Sequence, residues 1–138
     1  MLKFTAAAAA LLLAAPAAFA ETHGMAASVT AADQSVANGV VSAASVVAPE
    51  NGWLVVHRTD AAMKPGPVVG YAPLRGGETD DVAAILTEPV MPGEMLMLMV
   101  HSEAGGMQAG GFEYTLGAAE DGPIKPGGDL VMTVITAK

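Results

Sequence analysis

The run Met95-Leu96-Met97-Leu98-Met99-Val100-His101 limits the folds open to this chain more than any other stretch. It is apolar at nearly every position, is bracketed by turn-forming residues and ends in a histidine, which predicts a central β-strand. A second run, Trp53-Leu54-Val55-Val56-His57, repeats the form. Side chains alternate with period two along a strand, so Trp53, Val55 and His57 share one side, and Leu54, Val56 and Arg58 the other. By the same rule Met95, Met97 and Met99 share a side, with His101 at its end.

Around these two runs, Gly, Pro, Asn and Asp recur at short intervals and the segments between them are rich in Val, Thr, Leu and Met. That pattern predicts short strands joined by tight turns: 28–36, 40–48, 53–59, 68–72, 82–87, 95–101, 112–114 and 130–136. Asn38-Gly39 is expected to form a two-residue hairpin turn, because both central positions of that turn need positive φ. Pro49 to Gly52, Arg75 to Glu78 and Pro92-Gly93 are further turns, and Lys64-Pro65-Gly66-Pro67 a loop. Seven or eight strands at this spacing point to an all-β fold, an antiparallel β-sandwich of immunoglobulin-like or cupredoxin-like form.

The first twenty residues read differently. Lys3, an apolar stretch from Ala6 to Ala15, Pro16 and Ala18-Phe19-Ala20 have the layout of a secretory signal peptide over 1–20. Cleavage after Ala20 leaves 118 of the 138 residues, a short tail over 21–27 and a single domain over 28–138. The exported form carries five Lys and Arg against fourteen Asp and Glu, a net charge of −9. Nucleic acids and anionic membranes select basic surfaces, so neither is an expected partner, and no membrane insertion is expected once the signal is removed. With no cysteine in the chain, neither a disulfide framework nor lipidation at cysteine is available. The expected location is periplasmic or secreted.

Several segments occur together in order: Asp33-Gln34, Gly52-Trp53-Leu54-Val55-Val56-His57, Gly70 with Leu74, Leu96 to His101 with Glu103, Gly111-Phe112-Glu113-Tyr114, and Asp121-Gly122-Pro123. As a set they resemble the exported prokaryotic domains of unknown function numbered 7282, along nearly the whole length after Ala20. The resemblance implies a compact all-β domain outside the cytoplasm. It brings no activity, cofactor or catalytic residue.

Three groups of residues could hold a metal ion. The thioethers of Met95, Met97 and Met99 beside His101 are soft donors suited to Cu(I), although the simpler role for methionine is to fill gaps in a core. His57 and His101, with Asp60 and Glu103 close by in sequence, would bind Zn²⁺ or Cu²⁺ if their strand ends met; otherwise each ring is satisfied by a backbone carbonyl or a neighbouring acid. Glu21-Thr22-His23, at a terminus freed by cleavage, would offer an α-amine, two amides and an imidazole to Cu²⁺ or Ni²⁺ in a square plane. No cofactor is expected, and a copper ion is the candidate that all three groups share. No G-x-S-x-G, H-E-x-x-H or phosphate-binding glycine loop occurs, and Ser102 and His101 fall on opposite faces of a strand. The expected role is a binding or structural module at the cell envelope rather than an enzyme, with periplasmic copper binding as the alternative.

Overall fold

The computed structural model of the chain describes residues 24–138. The predicted signal peptide and Glu21, Thr22 and His23 lie outside the described residues. Seven strands follow one another: β1 (Ser28–Thr30), β2 (Val40–Ala48), β3 (Gly52–Thr59), β4 (Val68–Leu74), β5 (Gly77–Leu86), β6 (Met95–Ser102) and β7 (Met132–Thr136). A short 3₁₀ turn at Pro126–Gly128 is the only helical element among the described residues. No helix among them is long and apolar enough to cross a membrane.

All seven strands belong to one antiparallel sheet in the order β1-β2-β5-β4-β3-β6-β7. Its two ends approach each other. Gln34 and Ala137 form a parallel bridge, the Thr136 N–H donates to Asp33 Oδ1 at 2.8 Å, and the Lys138 N–H donates to the Gln34 carbonyl at 2.9 Å. The predicted all-β antiparallel fold is therefore built as one sheet curled almost into a barrel, which leaves little exposed edge for unwanted pairing. Inside the curl lies the main core, including Val41, Val46, Leu54, Val56, Leu96, Leu98, Val100 and Ile135.

β3 and β6 sit side by side near the middle of the sheet and pair over eight positions, from Gly52 opposite Ser102 to Thr59 opposite Met95. Leu54, Val56, Leu96, Leu98 and Val100 point into the main core. Trp53, Val55, His57, Met97, Met99 and His101 occupy the other face and are buried as well. The two runs are apolar on both alternations because the sheet is covered on both sides here, as in strands that lie between two layers.

Some local expectations give way. The first strand stops at Thr30 because Gln34 does the pairing that a longer strand would do: its Oε1 accepts the Ser42 N–H and its Nε2 donates to the Ser42 carbonyl, each at 2.8 Å. Asn38-Gly39 is accordingly not a two-residue hairpin. It closes a turn in which the Gly39 N–H donates to the Val36 carbonyl and Asn38 Oδ1 accepts the Val40 N–H. Gly77 and Glu78 open β5 instead of lying in the preceding turn. Phe112 to Tyr114 is not a strand, because its polar backbone is taken up by loop contacts such as the Glu113 N–H to Asp121 Oδ2.

Gly39 has φ of +76° with no atom within 4 Å of a Cβ placed there. Gly39→Ala should therefore cost only the left-handed backbone penalty, about 1 kcal/mol, readable as a lowered urea midpoint at unchanged slope.

Candidate functional site

The outer face of β3 and β6 is covered by two segments that leave the sheet. One is the loop between β3 and β4, which contains Gly66, and the other is the long connection between β6 and β7. Histidine links the sheet to both. His57 Nδ1 lies 2.7 Å from the Gly66 carbonyl, and His101 Nδ1 lies 2.6 Å from the Asp121 carbonyl. The long connection is fixed in turn by Asp121, only 1% exposed, whose carboxylate oxygens accept the N–H groups of Ala104 (3.2 Å) and Glu113 (2.8 Å).

The antiparallel register sets His57 opposite Met97 and His101 opposite Trp53, so the two histidines stand at different ends of the paired region. Four residues of strand amount to about 13 Å. The rings nonetheless lean toward each other over Val55 and Met99, bringing Nε2 of His57 to 3.3 Å from Nε2 of His101. Both side chains are sealed, at 0% and 1% exposure. Tyr114 packs edge-on against both rings, with centroids 5.9 Å from His57 and 4.5 Å from His101. Next to it, Phe112 stacks on Tyr71 at 4.3 Å and meets the edge of Trp53.

The hydrogen bonds decide where the ring protons are. A carbonyl oxygen can only accept, so each Nδ1 must carry the proton and donate. Each neutral ring then presents a bare lone pair at Nε2, and the two lone pairs face each other across 3.3 Å. Moving a proton to either Nε2 would set a lone pair at Nδ1 against a carbonyl oxygen. Only a cation between the rings, a proton or a metal ion, satisfies every atom.

Protonation is opposed by the surroundings. Burial away from water lowers the His57 pKa, against the hydrogen bond to Gly66. Burial likewise lowers that of His101, to about 4, with the neighbouring His57 charge adding to the effect. Both shifts run below the ordinary histidine value, so between pH 6.5 and about 4 the unfolded chain binds protons that the folded chain does not. For protein stripped of metal with a chelator, stability should hold above pH 6.5 and fall through that window. His101 alone would remove on the order of 3 kcal/mol by pH 4. Urea titrations at half-unit pH steps measure this; a flat profile from pH 6.5 to 4.5 would contradict it.

Of the residues singled out from the sequence, the fold brings His57, His101 and Met99 onto one buried face. Glu103 does not join them. One of its oxygens accepts the Trp53 Nε1–H at 2.7 Å and the other the Gly110 N–H at 2.9 Å. Asp60 is likewise occupied, its Oδ1 capping the Ala62 N–H. Of the two partners expected for each imidazole, a backbone carbonyl or a neighbouring acid, it is the backbone carbonyl that each Nδ1 meets, while the Nε2 atoms face each other. Met97 and Met99 are buried, but on the loop-covered face and outside the main core. Among the described residues no group of three or more His, Cys, Asp or Glu is arranged to hold a metal ion. Nothing in the sequence marks Tyr114 or Asp121 as a site residue beyond their places in the Gly111–Tyr114 and Asp121–Pro123 segments. The one local hint was the Asp121-Gly122-Pro123 segment, where an aspartate at φ +46° marks a constrained turn.

These features define an all-β domain with a histidine pair enclosed beneath its longest connection. The chain belongs to the family described as a domain of unknown function (DUF7282), whose model matches residues 27–138. No curated protein and no solved structure matches it.

Proposed function

We propose that the chain is an exported binding and structural module of the cell envelope, without chemistry of its own. The observation that supports this reading is the enclosure of both histidines. An imidazole that donates from Nδ1 to the backbone, points Nε2 at another imidazole and is 0–1% exposed cannot take a proton from a substrate arriving from solvent. The signal-like first twenty residues support export, and the acidic charge suits a protein kept free of nucleic acid and anionic lipid.

Two measurements test the reading. Mass spectrometry of the protein from the periplasmic fraction or medium should find Glu21 as the first residue. The purified protein should turn over none of a broad panel of ester, glycoside, peptide and redox substrates; turnover lost in His57→Ala or His101→Ala would sink the proposal.

A second reading, periplasmic copper handling, is favoured by the approach of the two Nε2 atoms. It has two separable parts: the Glu21-Thr22-His23 terminus for Cu²⁺ and the His57, Met99, His101 face for Cu(I). Titration with Cu²⁺ of the processed protein and its His23→Ala variant tests the first.

A further inference from the structure

The geometry points to a single buried Cu(I) site formed by Nε2 of His57, Nε2 of His101 and the thioether of Met99. The inference rests on the copper-handling reading above and fixes the donors, the ion and the coordination of its buried part. Its starting point is the pair of lone pairs at 3.3 Å, each pre-oriented by an Nδ1–H to a backbone carbonyl. Ligand histidines are held in this way: one ring nitrogen fixes tautomer and orientation while the other faces the metal.

The separation of the nitrogens also constrains the coordination. With metal–nitrogen bonds of about 2.0 Å, nitrogens 3.3 Å apart subtend about 110° at the ion. This is far from the straight line of a two-coordinate ion, so a further donor is required. Met99 is 1% exposed and lies on the same strand face, at the register step between the two histidines. Thioether sulfur is a soft ligand that selects Cu(I) among biological cations.

Charge leads to the same ion. Every proposed donor is neutral, the donor side chains are buried, and both oxygens of buried Asp121 are taken by backbone N–H groups. The cost of burying an ion grows steeply with its charge, so neutral donors hold a monovalent cation far better than an uncompensated divalent one. The bound ion also replaces the missing proton, satisfying both lone pairs at once.

The test uses the whole chain carrying His23→Ala, so that only two of its three histidines remain. Cu(I) is supplied anaerobically against a competing chelator, with Zn²⁺ and Ag⁺ as parallel probes. One equivalent of Cu(I) should bind, and X-ray absorption should show two nitrogen scatterers and one sulfur. Affinity should fall about 100-fold or more in His57→Ala and in His101→Ala, and about 10-fold in Met99→Leu. Met99→Leu nearly conserves volume and keeps the fold, so it remains informative if a histidine variant does not fold. Cu(I) affinity unchanged by all three substitutions, or no uptake beyond that of the His57→Ala/His101→Ala double variant, would overturn the site. An absorption spectrum without sulfur would remove Met99, and Zn²⁺ binding as tight as Cu(I) would overturn the choice of ion. Failure of Cu(I) uptake leaves the binding-module reading and the Cu²⁺ terminus standing, since the first is tested by the residue that begins the exported protein and by histidine-dependent turnover, and the second by Cu²⁺ titration of the His23→Ala variant.

Discussion

Asp121→Ala is expected to destabilise the domain by about 4 kcal/mol. Asp121 is 1% exposed and its carboxylate accepts two backbone N–H groups, those of exposed Ala104 and half-buried Glu113, which lose their partner when it is removed. A hydrogen bond to a charged group contributes about 1.5–3 kcal/mol. The position also has φ of +46°, which aspartate tolerates and alanine does not. Asp121→Asn should lose about half as much, because its amide keeps one acceptor and the backbone tolerance. The Asp121 backbone also carries the carbonyl that fixes His101, so loss of its side chain should disturb the histidine pair. Urea unfolding measures the first effect, and the His101 ring signals in an NMR spectrum report the second. An Asp121→Ala protein within 1 kcal/mol of the parent would show that water replaces the carboxylate and that the segment is open to solvent.

Gly52→Ala should cost 3 kcal/mol or more, for a reason that is purely steric. A Cβ at Gly52 would stand 2.1 Å from the His101 carbonyl oxygen, a backbone atom in the middle of the sheet that cannot turn aside. β3 and β6 would have to part where Gly52 faces Ser102, next to the pairing of Trp53 with His101. For a domain of this size the loss corresponds to a melting temperature lower by about 10 °C or more. The same displacement moves His101 away from His57, so Cu(I) affinity should fall together with stability. Gly39→Ala, in open space, serves as the control that separates a clash from a general intolerance of alanine for glycine.

The strands were legible to very different degrees. β2 runs from Val40 to Ala48, as its apolar and small residues predict, and β3 and β6 match their runs to within a residue. Where a strand ends on a side chain instead of a turn, the sequence misleads. The Gln34 amide takes over the pairing of Ser42, and the Asp121 carboxylate takes over that of Glu113, and neither substitution leaves a periodic trace. Likewise the acids beside the histidines in sequence, Asp60 and Glu103, are spent on a turn and on the Trp53 ring.

Taken alone, the sequence determined the class of fold, the two central strands and the residues on each of their faces. Those properties follow from local turn chemistry and a side-chain alternation of two, which need no knowledge of the partner strand. It also singled out His57 and His101, the residues that close those two strands, as candidate ligands. Only the tertiary structure decided that the sheet curls on itself, that its second face is covered by a long connection, and that His57 and His101 meet. The meeting depends on antiparallel register and on two carbonyls, Gly66 and Asp121, from loops distant in sequence. A carbonyl is common to every residue, so its place beside an imidazole leaves no mark in the sequence; the fold alone turns two scattered histidines into a pair.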